Sequence, residues 1–451
     1  MNQHNYINLT VLSSCWTVSC LALIFIVLPP PESAGAATIE FESILKKAIE
    51  NSYDLQIAAT DIELKTIRVD EAFSAYYPSV SMRLVNEYLH NLDHDSAQNI
   101  VIGDTVISGA TSTYQHSLAF SLNYNLFDFG VRGLKYDNIK RDVDISKMFL
   151  LKSRIDTATR LLELYAEGLK LATSNASYES ILQQQQEIYS MLQRLFESGT
   201  VRKINVVETA IDLAENVKRL VDNKMRLQRI LKEITCFTQQ DYDPATTIFA
   251  DFADSLIDAD RQPDISKMPE IIALDVVIEK KSAEYDIAVL ERYPKLSLYS
   301  EYKLYGKDDN DFYDSFSDLS RKNASVGIVV DLPLFQGFAS YHKARGLHKE
   351  IDKLKLQRLK RVAELKTDID SLLDSDRLYR SSSKDRRDSL EKAGQMEDMA
   401  RRMTEQQLTE RVYYLQKQVE FIEKQLDGKL QHIDWTANSL RLKFLAQGAE
   451  S

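Results

Sequence analysis

Two kinds of hydrophobic periodicity run along the chain, and they occupy different segments. Around position 120 the side chains alternate, with Tyr114, His116, Leu118, Phe120, Leu122, Tyr124 and Leu126 in one set and Gln115, Ser117, Ala119, Ser121, Asn123 and Asn125 in the other. A period of two held for about twelve residues predicts a strand with one apolar and one polar face. Val80, Met82, Leu84 and Tyr88 alternate with Ser81, Arg83 and Glu87. Leu296, Leu298, Tyr302 and Leu304 alternate with Ser297, Glu301 and Lys303. Val326, Ile328, Val330 and Leu332 alternate with Ser325, Gly327 and Asp331, and only Val329 breaks the pattern. These runs predict four strands, over 79–90, 114–126, 295–305 and 324–334.

The other periodicity steps by three and four. It links Leu162, Tyr165, Leu169 and Ala172, then Tyr189, Leu192 and Phe196, and in the second half Leu347, Ile351, Leu354, Val362, Leu365, Ile369 and Leu372. Such steps are the seam of a coiled coil. No proline falls between Pro78 and Pro244 or after Pro333, so nothing removes a backbone donor from these tracts. Long helices are predicted over 131–198 and 338–406, with return helices over 200–235 and 409–445. The first would be ~100 Å long at 1.5 Å per residue. A helix of that length cannot fold back into a compact globule and must pack laterally against others.

The order of elements is written twice. Ala75-Tyr76-Tyr77-Pro78-Ser79-Val80-Ser81 echoes Glu291-Arg292-Tyr293-Pro294-Lys295-Leu296-Ser297, and Tyr124-Asn125-Leu126-Phe127-Asp128-Phe129-Gly130 echoes Leu332-Pro333-Leu334-Phe335-Gln336-Gly337. The chain therefore divides into a leader at 1–36, a first repeat at 37–236, an irregular connector at 237–268, a second repeat at 269–446 and a tail at 447–451. Strands of about ten alternating residues suit a lipid-exposed barrel, apolar outward and polar toward the lumen. Tyr77, Tyr124, Phe127, Tyr293 and Phe335 would mark one membrane interface, and Tyr88, Tyr114, Tyr302 and Tyr305 the other. A soluble sandwich alternates in the same way, but four strands make a poor one. Four strands also cannot close around water, and an open edge in lipid leaves backbone groups unsatisfied. Three copies would supply twelve strands.

Composition narrows the choice of function. The net charge of −11 argues against nucleic acid as a partner, which calls for a basic face. It suits a solvated surface, or a conduit favouring cations and neutral solutes. Cys15 and Cys20 lie in the leader, which leaves Cys236 alone in the remainder and excludes a disulfide framework or a cysteine zinc site. Val18–Leu28 is an apolar run followed by Pro29-Pro30-Pro31 and Ala34-Gly35-Ala36, a secretory signal with cleavage expected after Ala36. No Lys or Arg precedes the run, so an uncleaved anchor is the rival reading. The seven histidines are scattered, and no phosphate loop, HExxH or nucleophile elbow occurs. No enzyme chemistry, cofactor or metal is expected. The segments 91–112 and 306–323 read as polar extracellular loops; Asp308-Asp309-Asn310-Asp311 could attract a hard cation, with a solvated loop the favoured reading.

The order of elements resembles the TolC-type outer-membrane efflux proteins over residues 38–446. The resemblance rests on the Tyr-Pro strand entries at Pro78 and Pro294. It rests also on the strand-to-helix corners Leu126-Phe127-Asp128-Phe129-Gly130 and Pro333-Leu334-Phe335-Gln336-Gly337, and on Phe196-Glu197-Ser198-Gly199-Thr200-Val201 followed by Asn205-Val206-Val207-Glu208. It implies a mainly α fold with a membrane β-barrel portion. A long coiled-coil helical tunnel and four strands per protomer would form a 12-stranded barrel in a homotrimer. It implies a passive exit duct of a tripartite efflux or type I secretion system, lodged in outer-membrane lipid of a Gram-negative bacterium. The partners implied are a periplasmic adaptor and an inner-membrane pump of RND, ABC or MFS type. Phe196, Gly199, Thr200 and Val201 would form the adaptor-docking tip, with Gln407, Leu408 and Thr409 at the second tip. There Gln407 replaces glycine. Two acidic gate positions of the family are Tyr413 and Gln416 in this chain, so the expected gate is lined by Tyr413, with Asn205, Glu208 and Glu410 nearby. The rival function is a membrane-anchored coiled-coil structural or adhesive protein.

Overall fold

The computed structural model describes residues 37–90, 100–102, 105–107, 112–244, 246–252, 263–308, 311–317, 319–406 and 410–450. The leader, Gln407, Leu408 and Thr409 lie outside the described residues. In chain order the elements are β1 (Ala37–Ile39), α1 (Phe41–Asn51), α2 (Tyr53–Phe73), β2 (Ser79–His90), β3 (Ile100–Ile102), β4 (Thr105–Ile107), β5 (Ser112–Phe127), α3 (Val131–Glu197), α4 (Lys203–Thr238), β6 (Thr247–Phe249), α5 (Pro269–Leu290), β7 (Lys295–Asp308), α6 (Phe312–Ser317), β8 (Arg321–Asp331), α7 (Ala339–Ser381), α8 (Ser383–Glu405) and α9 (Arg411–Glu450).

β2, β5, β7 and β8 form one antiparallel sheet in that order. Its register aligns the four alternating patterns. Met82 faces Phe120, which faces Tyr302, which faces Ala324; Val80 faces Leu122, and Leu298 faces both Tyr124 and Ile328. Period-two alternation in perfect step puts every one of these side chains on a single face. No layer covers that face over most of its height: Val80 and Val326 are 71% and 73% exposed. The opposite face carries Ser81, Arg83, Ser121, Asn123, Glu301 and Lys303. Tyr305 pairs with Ser117 on this polar face, apart from Tyr88, Tyr114 and Tyr302 on the apolar one. β8 ends at Asp331, short of the expected 334, because Pro333 has no N–H to extend the ladder. Both segments expected to be plain loops contain structure: β3 and β4 pair as a small hairpin, and α6 follows β7.

The helices form two stacked layers. Near the sheet they neighbour one another in the order α2, α3, α5, α7, and farther away in the order α4, α3, α9, α8. α3 runs unbroken for 67 residues and belongs to both layers. At the level where the layers meet, Phe41, Ile44, Leu161, Leu162, Tyr165, Leu231, Ile234 and Phe249 form the largest core. There the connector, read from sequence as irregular, lays β6 parallel to β1. The Tyr165 hydroxyl shares its one proton between the carbonyls of Ile39 (2.9 Å) and Ala250 (2.7 Å), and burial raises its pKa well above the usual phenol range. Gly168 faces β6 closely enough that a Cβ there would lie 2.6 Å from the Phe249 ring. It is a point of close packing, not a helix breaker.

Two seam assignments shift. In the lower part of α3 the buried residues are Ile181, Gln185, Ile188 and Leu192, while Phe196 is exposed. The second long helix, expected without a break over 338–406, is interrupted at Ser382. The cause is competition for backbone carbonyls. Ser381 Oγ and Ser382 Oγ donate to the Leu378 carbonyl at 3.0 and 2.9 Å, and Arg386 Nη2 donates to that of Tyr379 at 2.7 Å. Tyr379 in turn stacks on Trp435 at 4.8 Å, which holds the break against α9.

Candidate functional site

Three regions hold the residues singled out from sequence: the far helical tip, the helical level just above it, and the corners where strands become helices. At the tip α3 ends in a Schellman turn. Gly199 has φ +78°, its N–H donates to the Phe196 carbonyl at 2.9 Å, and the Thr200 N–H donates to that of Leu195 at 2.8 Å. This is the left-handed helix stop that glycine adopts without a Cβ clash. Phe196, Gly199 and Thr200 are exposed, whereas Val201 is half-buried against Ile188, Leu192, Val412 and Leu415. Arg411 bonds Glu187 at 2.8 Å and ties the start of α9 to α3.

Just above the tip, Asn205 and Glu208 are exposed on α4, and Glu410, Tyr413 and Gln416 are exposed at the start of α9. Val412 and Leu415 point into the core, which fixes Tyr413 outward; its ring receives Lys417 Nζ at 5.8 Å. Of the five, only Gln416 lines the cleft between α3, α4 and α9, together with Gln185, Asp212, Glu215, Asn216 and Glu423. Sequence reasoning missed this group. Asn216 Nδ2 donates to Gln185 Oε1 at 3.0 Å in a buried position. Burial raises the Glu423 carboxyl pKa, and Asp427 adds to the shift. A polar residue recurring at a core position of the α3 seam, Gln185 between Ile181 and Ile188, was the available signal.

At the corners Gly130 (φ +86°) and Gly337 (φ +59°) are left-handed, and so are two neighbours the sequence reading passed over, Phe129 (φ +54°) and Phe338 (φ +63°). Each corner is thus a left-handed pair, with the glycine second in one repeat and first in the other. In the first, Asp128 Oδ2 accepts from the Arg132 N–H at 3.1 Å and from Asn125 Nδ2 at 2.8 Å, capping α3. Phe127 and Phe129 pack at 4.8 Å and Phe129 on Tyr293 at 5.0 Å, while Phe335 packs on Phe338 at 5.7 Å. With the entries at Pro78 and Pro294 and the exit at Pro333, these rings form an aromatic band where sheet meets helix.

Glu291 clamps the two repeats just inside this band, bonding Lys135 of α3 and Lys343 of α7, each at 2.9 Å. Burial pushes its carboxyl pKa up, but the two lysines outweigh burial and hold it below the usual value. A depressed folded-state pKa stabilises the fold above the unfolded value, and the contribution is lost as pH falls through the folded one. Glu291→Gln is therefore expected to lower the melting temperature at neutral pH. It should also flatten the loss of stability between about pH 6 and about pH 3, read by thermal melts across that range.

Residues 44–236 match the family model described as Outer membrane efflux protein. None of the curated proteins matches the chain by sequence. Among solved structures, the Campylobacter jejuni CmeC outer membrane channel superposes with a TM-score of 0.75 at 13% identity, over 91% of this chain and 86% of that one. The Vibrio cholerae outer membrane protein VceC gives 0.70 at 14%, over 91% and 95%. The open state of the Neisseria gonorrhoeae MtrE outer membrane channel gives 0.64 at 12%, over 90% and 88%. No described helix is long and apolar enough to cross a membrane. Residues 44–236 thus match the outer membrane efflux protein family, and the chain as a whole has the fold of these channels.

Proposed function

We propose that three copies of the chain close into a ring, forming a twelve-stranded barrel above a helical tunnel, and that the ring is the passive exit duct of a tripartite efflux or type I secretion system. One observation carries this reading: among the described residues, all three levels of the subunit end in matching free edges. The sheet has β2 and β8 at its sides, the upper helices α2 and α7, the lower helices α4 and α8, each time one edge from each repeat. β2 and β8 run in opposite directions, so β8 of one copy can continue antiparallel onto β2 of the next. A head-to-tail contact of this kind closes into a cyclic ring. A coiled-coil adhesin would account for the helices but not for a sheet with one apolar and one polar face.

The lumen would then be lined by the polar sheet face, with the apolar face in lipid. The exposed tip residues Phe196, Gly199 and Thr200 would meet a periplasmic adaptor, and an inner-membrane pump would supply the energy. Tyr413, with Asn205, Glu208, Glu410 and Gln416, would narrow the tunnel mouth.

Purified protein should run as a trimer in detergent and conduct ions in planar bilayers; a water-soluble, non-conducting monomer would overturn the reading. Tyr413→Ala is expected to raise single-channel conductance several-fold by removing a ring from the narrowest level. An unchanged conductance would remove Tyr413 from the gate.

A further inference from the structure

α6 does not project away from the sheet. It lies against β5 and β7 on the apolar face, near the end of the sheet remote from the helices. Phe312 meets the His116 ring at 4.6 Å and 89°, Phe316 meets it at 5.5 Å and 84°, and Phe312 also meets Tyr114 at 6.1 Å. The local sequence builds this helix for itself. Asp311 Oδ1 accepts from the Tyr313 N–H at 2.7 Å as an N-cap, and Asp308 Oδ1 accepts from the Asp311 N–H at 2.8 Å. Phe312 and Phe316, four residues apart, then share one side.

What α6 covers is a polar row in that apolar face. Asn86, His116 and Gly306 lie side by side across β2, β5 and β7. His116 is 1% exposed; its Nδ1–H donates to Asn86 Oδ1 at 2.7 Å, and its Nε2 is buried with no hydrogen-bond partner among the described residues. Gly306, without a side chain, leaves room above β7. A bare imidazole nitrogen turned toward acyl chains is costly, whereas two aromatic edges shield it. The outer side of α6 carries Tyr313, 80% exposed, and the edges of Phe312 and Phe316 remain about half exposed beneath it. Aromatic rings with a polar tip belong at the boundary between acyl chains and headgroups.

We propose that α6 is an interfacial anchor: it lies between the barrel wall and the outer leaflet, shields His116 from lipid and takes the place of part of the aromatic belt. The inference rests on the reading of the apolar face as lipid-facing. The test uses nitroxide labels at Tyr313→Cys or Ile328→Cys, with Cys15, Cys20 and Cys236 replaced by Ser, in protein reconstituted into phospholipid vesicles. Collisions with oxygen report lipid, and collisions with a water-soluble nickel chelate report water. Position 328, on the open apolar face, should favour oxygen, and position 313 should favour oxygen over nickel several-fold. Adding Phe312→Ala and Phe316→Ala should swing position 313 toward nickel. A nickel-favouring 313 beside an oxygen-favouring 328 would place α6 in water and overturn the anchor. A nickel-favouring 328 would instead overturn the barrel reading beneath it. A label at 313 that ignores the loss of both rings would show that they do not seat the helix.

Discussion

Phe120→Arg is expected to abolish most membrane-inserted protein, whereas Ser121→Arg is expected to insert, assemble and shift ion selectivity toward anions. The two positions are adjacent on β5 and differ only in the face they occupy. Phe120 sits in the apolar row between Met82 and Tyr302, and Ser121 in the polar row between Ser81 and Glu301. An arginine facing lipid near the midplane of a barrel costs about 2–4 kcal/mol, and it would occur three times in the proposed ring, for about 6–12 kcal/mol in all. In the lumen the same side chain stays hydrated, and a ring of three positive charges favours anions. Protease protection in reconstituted vesicles gives the inserted fraction, and reversal potentials in asymmetric salt give the selectivity. Equal loss for both variants would mean that the sheet is not a barrel wall with one wet face. Equal tolerance would mean that it does not sit in lipid.

The facing of the sheet was legible in the sequence because a strand's periodicity is local: Val80 through Tyr88 and Tyr114 through Leu126 declare their two faces with no knowledge of neighbours. The glycine turns were legible for a similar reason, since Gly130 and Gly199 bracket one long helix-compatible tract and φ > 0 is glycine's particular use. What could not be read depends on contacts between distant segments. Phe129 and Phe338 accept left-handed backbone because rings packed around them compensate its cost. The break at Ser382 needs Arg386 to hold the freed carbonyl of Tyr379 and Trp435 to hold Tyr379. Gly168 looks like a weak point in a helix until Phe249, eighty-one residues later, is brought against it. His116 fell in the apolar series of β5 as an outlier, and only α6 explains why it is tolerated there. Just above the tip the sequence marked exposed positions on each helix, but Glu423 and the Asn216–Gln185 pair emerge only when α3, α4 and α9 are seen together.

The remaining large effect concerns how the wall closes. α4 presents Ile204, Val207, Ile211, Val221 and Met225 to solvent, and α8 presents Met396, Met399 and Met403. Met396, Met399 and Met403 step by three and four, as do Ile204, Val207 and Ile211 and, ten residues on, Val221 and Met225, the signature of a seam, yet in the subunit neither set has a partner helix on that side among the described residues: α4 packs on α3 and α8 on α9. A head-to-tail ring joins one set to the other. Burying such a side chain is worth about 1.5–3 kcal/mol, and the contact recurs at three seams, so a glutamate in either stripe forfeits about 5–9 kcal/mol per ring before any cost of burying the charge. Ile211→Glu and Met399→Glu are each expected to turn trimer into monomer in detergent, read by light scattering, while circular dichroism reports unchanged helix content because both sites are exposed within the subunit. The pair of variants tells the geometry of closure apart. If α4 met a second α4, Ile211→Glu would dissociate the assembly and Met399→Glu would leave it intact; only joining of unlike edges makes the two equally damaging. A trimer that survives both would mean that the lower tunnel is held by other contacts and that these methionines face the transported solute instead.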